Sequence, residues 1–212
     1  MLFNRILDFL FPPRVDEVLV REISTDVFLA HLRPVLIVET RPETTGLLPF
    51  HTPLVRATLH EAKYHRNTHA FDLLATALAD YLHDIADENY GHRKSVIVPV
   101  PLGALREKER GYNQVTEVVR KALCELGPNA ERFTLIPELL TRTRETRSQV
   151  SLPREERLVN MRGAFTVTAP LDSAATYIVI DDVITTGATL QAAIDALRAA
   201  GARTILPLAL AH

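Results

Sequence analysis

Cysteine is almost missing from this chain. Cys124 stands alone among 212 residues, so no internal disulfide can form, and a reducing cytoplasm is the default compartment. An excess of either charge is missing too. Lys and Arg number 24 against 26 Asp and Glu, a formal net charge of −2. That balance gives no overall basic footprint for nucleic acid and no bias toward a membrane surface. Long apolar runs are also lacking. The opening MLFNRILDFLFPP is broken by Asn4, Arg5 and Asp8, and no run approaches the roughly 20 residues of a membrane span. Phe3, Ile6, Leu7, Leu10 and Phe11 fall at helical spacing, and Pro12-Pro13 ends the pattern. This predicts an amphipathic helix packed on the domain, with no membrane implied. There is no internal repeat, no low-complexity linker, no G-x-x-x-x-G-K-[ST] and no G-x-G-x-x-G after a strand. P-loop and dinucleotide-binding folds are therefore unsupported.

What is present is ordinary globular material, 47% apolar and 24% charged, enough for one α/β domain with an accessory segment. Residues 1–50 form that N-terminal segment, where LVREI and PVLIVETRP are candidate short strands. Residues 51–212 form the main domain. Leu54, Val55, Thr58, Leu59 and Ala62 predict a helix ending near Lys63-Tyr64, and Phe71 to Leu82 a longer second one. SVIVPVP is a strand stopped by proline, LGALREKERGYN a polar loop, and QVTEVVRKALCELG a helix. PELLTR, AFTV, TYIVID and RTILPLAL are strands, and LQAAIDALRAAG is a helix. The alternation predicts an α/β fold with a doubly wound parallel sheet covered by helices on both faces.

Ligands in such sheets sit beyond the carboxyl ends of the strands. There IVIDDVITTGATL puts Asp181 and Asp182 at a strand end. Thr185, Thr186, Gly187, Ala188 and Thr189 follow, at the start of a helix. Outward backbone amides, a glycine that permits close approach, threonine hydroxyls and the helix dipole together make a phosphate cradle. The two carboxylates repel that phosphate and require hydroxyl donors or a divalent cation. Ribose 5-phosphate satisfies both halves. Its diol would meet Asp181 and Asp182, directly or through Mg²⁺, and its phosphate would meet residues 185–189. A plain helix cap beside solvated aspartates explains only one of these residues.

The stretch IVIDDVITTGATL resembles the ribose-phosphate signature of the type I phosphoribosyltransferases. VPVPLGALREKERGYNQ and TRTRETRSQVSLPREERLVNMRGAF are similar to segments of the ComF/GntX family. FLFPPR and LVRATLHEAKYHRN resemble its opening and the helix before its core. The resemblance implies the type I phosphoribosyltransferase fold with a helical or irregular N-terminal segment. One departure stands out. Members carry a four-cysteine zinc ribbon after the opening proline, where this chain reads RVDEVLVREIS. Four thiolates cannot come from one cysteine, so no structural zinc is expected there. His60, His65 and His69 cluster in sequence, but the polar HRNTH stretch reads as a solvated helix end rather than a replacement metal site.

The implied activity is binding of phosphoribosyl pyrophosphate (PRPP) with Mg²⁺, and transfer of ribose 5-phosphate to an unidentified nitrogen nucleophile with release of pyrophosphate. The alternative is a non-catalytic PRPP-binding or adaptor protein in natural competence and DNA uptake. By resemblance, Arg106, Arg110 and Gly111 meet pyrophosphate, with Asn113 and Gln114 as supports. A solvated charged loop is the bland alternative. Arg142, Arg144 and Arg147 fall on the loop that closes over the site, with Thr146, Ser148 and Gln149 nearby. DNA or protein docking is the rival use of that loop. Purine-using members often carry an acid where Thr185 stands, so a purine acceptor is disfavoured. Tyr64 and Tyr112 are candidates to stack a base, or equally core residues. Implied partners are PRPP and its acceptor, with competence proteins, single-stranded DNA and a second copy of the chain as further candidates.

Overall fold

The computed structural model describes residues 14–87, 94–143, 161 and 163–212. The expected helix over residues 3–11, Arg144, Thr146, Arg147, Ser148 and Gln149 lie outside them. Six strands form the central sheet in the order β1-β2-β8-β7-β3-β4. They are β1 (Val35–Ile37), β2 (Thr44–Leu48), β3 (Ser95–Pro99), β4 (Phe133–Leu135), β7 (Thr176–Val183) and β8 (Thr204–Ala211). Every neighbouring pair is parallel except β1 with β2. Residues 35–48, placed by sequence in the N-terminal segment, thus extend the same sheet. A separate antiparallel ribbon pairs β5 (Leu140–Arg142) with β6 (Phe165–Val167).

Side chains along β7 show why both faces are covered. Ile178 and Ile180 enter one apolar cluster, while Tyr177 and Val179 enter the other. Alternate residues of a strand point to opposite faces, and all four are buried. Such a strand is stable only between two layers of helices. Each fully buried side chain of this size contributes about 1.5–3 kcal/mol. One layer holds α3 (Pro53–Tyr64), α4 (Thr68–Asp87) and α6 (Gln114–Glu125); the other holds α7 (Ala188–Ala199). Two short helices, α1 (Val15–Arg21) and α2 (Thr25–Leu29), lean on the first layer through Val20 and Phe28. Among the described residues, no helix is long and apolar enough to cross a membrane.

Three local expectations are corrected. LVREI is not a strand; most of it lies in α1, where one residue, Val20, is buried, as on one face of a helix rather than on alternate positions of a strand. The expected polar loop contains α5 (Ala104–Arg110), a seven-residue helix with no buried residue. Its lack of an apolar face hid it from the periodicity. Gly111 ends it in the left-handed region, at φ 71°, and its N–H donates to Glu107 O at 2.7 Å. Finally, the strand that follows α6 in the sheet is Phe133–Leu135, whereas PELLTR supplies the separate ribbon.

Strand order also fixes where a ligand can enter. From β3 the chain crosses through α6 to β4 on one side. From β7 it crosses through α7 to β8 on the other. Right-handed crossovers in opposite directions land on opposite faces, which opens a crevice between the carboxyl ends of β3 and β7. Val100 N–H donates to Ile180 O at 2.9 Å and holds the two strand ends together at the crevice floor.

Candidate functional site

A cavity of about 1040 Å³ opens at that crevice. Its walls carry five cationic side chains, Arg56, Lys63, Arg66, Arg106 and Arg110, against two carboxylates, Glu109 and Asp182. A partly enclosed space with that imbalance focuses positive potential and attracts an anion. Arg106 and Arg110 project from α5, so two of the residues expected to meet pyrophosphate line the cavity. Gly111 instead shapes the end of α5. Asn113 caps α6: its Oδ1 accepts from the N–H groups of Val115 (3.0 Å) and Thr116 (3.4 Å). Asn113 Nδ2 also donates to Val100 O at 2.9 Å, tying this cap to the end of β3.

The acid pair ends β7 as expected, but its two members differ. Asp182 Oδ2 accepts from Lys63 Nζ at 2.8 Å and from Gln114 Nε2 at 2.6 Å. Asp182 Oδ1 accepts from Val183 N–H at 2.7 Å. Burial pushes the Asp182 carboxyl up, but the Lys63 charge and these hydrogen bonds outweigh it and hold the group below the usual range. Asp181 has one such bond, from Asp182 N–H to Oδ1 at 2.9 Å. Burial first, and then the Asp182 charge, raise its carboxyl to about 7. A proton thus sits on or leaves Asp181 near neutrality, while Asp182 stays ionised.

Mg²⁺ keeps several waters and takes few protein ligands. Among the described residues, no donor reaches the second oxygen of Asp181, so Asp181 fits such an ion. The oxygens of Asp182 are already held by the protein's own donors. Gln114 carries the arrangement outward, since its Oε1 accepts from Arg110 at 3.1 Å. Lys63, Gln114, Asp182 and Arg110 therefore form one connected network across α3, α6, β7 and α5.

Thr185–Leu190, with Asp181, Val183 and Ile184, line a separate shallow depression of about 20 Å³. Gly187 is the N-cap of α7 at φ 71°, so the glycine turn leads directly into the first turn of the helix. Thr185 is exposed and lines both spaces. Arg142 sits on β5, where its guanidinium lies 5.8 Å from the Phe165 ring and near Met161 Sδ (3.6 Å). It is not in the cavity lining. The two tyrosines separate cleanly. Tyr112 is core, its hydroxyl donating to Ala62 O at 2.7 Å. Tyr64 is 55% exposed and lines the cavity, with the Arg110 guanidinium 5.0 Å from its ring centre.

No family model matches the chain. It is 30% identical over 162 residues, 73% of its length, to the DNA utilization protein YhgH of Salmonella typhi. The protein of that name from Escherichia coli O157:H7 is 29% identical over 157 residues. Competence protein F of Haemophilus influenzae is 32% identical over 114 residues, 51% of this chain. These matches support a ComF-like family. The chain spans 66% of the length of the two YhgH proteins and 46% of competence protein F.

The histidines of this chain divide. His69 Nε2 is 2.9 Å from Ile23 O and turns away from the cavity. His60 and His65 line it, their ring centres 5.5 Å apart. With Glu61 they offer three ligand atoms within 4.8 Å of one another. Both Glu61 oxygens are already held, by the Arg14 fork at 3.1 and 3.0 Å and by Asn67 at 3.1 Å. A cation there would have to displace Arg14, and the donor set suits an ion pair better than a metal.

Sequence reasoning did not single out Lys63, Arg56 or Arg66 as site residues. All three come from α3 and the turn after it, and Lys63 meets the end of β7 through its bond to Asp182. Nothing in the local pattern distinguishes Lys63 from an ordinary solvated helix end.

Proposed function

We propose that this protein acts in competence or DNA utilization and binds a phosphorylated sugar diphosphate, PRPP, as its Mg²⁺ complex. The related proteins carry competence and DNA-utilization names, which supports a competence-related role. One structural observation carries the ligand class. The Asp181–Asp182 strand end, the Thr185–Thr189 cradle and a cation-lined cavity meet at the sheet's switch point. A diol, a phosphate and a diphosphate on one small molecule would engage all three. Asp181 would meet the ribose hydroxyls or the cation, residues 185–189 the 5′-phosphate, and Arg106 and Arg110 the diphosphate. A bound divalent cation would supply charge neutralisation on the diphosphate oxygens.

Transfer of ribose 5-phosphate to a nitrogen nucleophile, with pyrophosphate leaving, is a second reading. The connected network from Asp182 to Arg110 favours it, because it would hold leaving-group contacts and sugar contacts in fixed relation. Whether the ligand is turned over separates the two readings.

The test is calorimetric titration with PRPP, with and without Mg²⁺, on the wild type and on Asp181→Asn. Mg²⁺-dependent micromolar affinity, about −8 kcal/mol, that falls at least about tenfold in the variant supports the ligand. No binding to the wild type would remove PRPP. A screen of nitrogen nucleophiles for pyrophosphate release then distinguishes an enzyme from a binding protein.

A further inference from the structure

The acid pair at the end of β7 has a cation of its own. Lys63 Nζ lies 2.8 Å from Asp182 Oδ2, with the two side chains only 24% and 16% exposed. Fully exposed pairs of this kind are screened by water and contribute little. Here the partners are largely buried, and Gln114 Nε2 and Val183 N–H complete the carboxylate's coordination. One of the pair's two negative charges is neutralised within the protein. Only Asp181 is left to face an incoming ion, and a single carboxylate is a poor site for an ion that gives up its waters reluctantly. The further oxygens must come from the ligand.

We propose that Lys63 is the resident cation of the acid pair and a specificity determinant: it keeps a divalent ion from binding alone and makes its entry depend on a diphosphate ligand that carries it. Asp182 is then a positioning residue. It holds Lys63 from α3 and Gln114 from α6, and through Gln114 it sets Arg110. Asp181 is the acid that meets the ligand. This rests on reading the crevice as a seat for a cation-chelated sugar diphosphate. It adds that the two acids are not interchangeable and that a lysine outside the signature stretch governs the metal.

The experiment titrates Mn²⁺, in the absence of any phosphorylated ligand, into the wild type, Lys63→Met, Lys63→Arg and Lys63→Met combined with Asp181→Asn. The electron paramagnetic resonance signal reports free Mn²⁺. Wild type and Lys63→Arg should show no saturable site. Lys63→Met should gain one site per chain, at least about tenfold tighter, as removal of a fixed positive charge a few ångströms away requires. Adding Asp181→Asn should abolish it. Should Lys63→Met fail to fold, Lys63→Gln keeps a hydrogen-bond donor to Asp182 without the charge and gives the same comparison. The proposal is overturned by equal Mn²⁺ affinity in wild type and the uncharged variant, whether both bind or neither does. PRPP titration of the same proteins separates the two ideas. A Mn²⁺ site gained in Lys63→Met without PRPP binding in the wild type leaves the lysine's role and removes the ligand. PRPP binding without that gain does the reverse.

Discussion

Replacing Gly187 by alanine tests the packing of the Thr185–Thr189 loop most sharply. Gly187 caps α7 at φ 71°, ψ −2°, a conformation that costs an L-residue about 1–2 kcal/mol. A second cost comes from space. A Cβ at this position would lie 2.9 Å from Thr40 Cγ2, 3.0 Å from Glu39 Cβ and 3.2 Å from Glu39 O. Thr40 cannot turn aside cheaply. It is buried, and its hydroxyl is bonded to Pro42 O at 2.7 Å and to Thr44 Oγ1 at 2.6 Å. Neither can the segment swing out freely, because Arg41 N–H donates to Gln191 Oε1 on α7 at 2.7 Å. Forcing a methyl into such a contact costs about 1–3 kcal/mol, for a total of about 2–5 kcal/mol. Gly127→Ala is the matched control: φ there is 56° and no atom lies within 4 Å of the new Cβ, so only the backbone cost of about 1–2 kcal/mol applies. Urea unfolding followed by circular dichroism should show a lower midpoint at unchanged slope for both variants, with the larger loss at Gly187. Equal losses would refute the claim that residues 39–40 pack against that loop.

Asp181 also carries a pH signature. Its folded carboxyl titrates at about 7 against an ordinary 3.8, so the stability it contributes is fully present below the ordinary value and is lost as pH rises through about 7. Asp181→Asn, neutral throughout, should therefore be more stable than the wild type above that range by about 1–2 kcal/mol, a figure reduced for the group's partial exposure. The gain should shrink as pH falls from about 7 and vanish only below the ordinary value of 3.8, and thermal unfolding across pH measures it; a pH-independent difference would contradict the assignment. Asn113→Ala should cost about 1–2 kcal/mol through loss of the α6 cap. Asn113→Asp should recover the cap but not the bond to Val100 O, so its stability in urea should fall between the two.

The central architecture was legible in the sequence because its signals are local. TYIVIDD reads as a doubly buried strand, since five successive apolar or β-branched residues can be covered only by helices on both faces. LQAAIDALRAAG reads as a helix from its spacing, and a glycine before it at a strand end reads as a tight anion-binding turn. PELLTR was legible as extended chain, but its sheet was not, because three-residue strands are assigned by their neighbours rather than by their own composition. Helix α5 was invisible for the opposite reason: it buries nothing, so no periodicity marks it.

Residue order alone therefore established an α/β chain with two acids and a threonine-glycine cradle at one strand end. It could not distinguish the acids, which look equivalent as neighbours in a string. Packing decides between them. Lys63, 119 positions earlier, and Gln114, 68 positions earlier, converge on Asp182 alone. Alternation along a strand turns adjacent side chains in opposite directions, so α3 and α6 on one face can reach only one of the two. The charge left on the other, and with it the chemistry open to the pocket, follows from contacts between segments far apart in the chain.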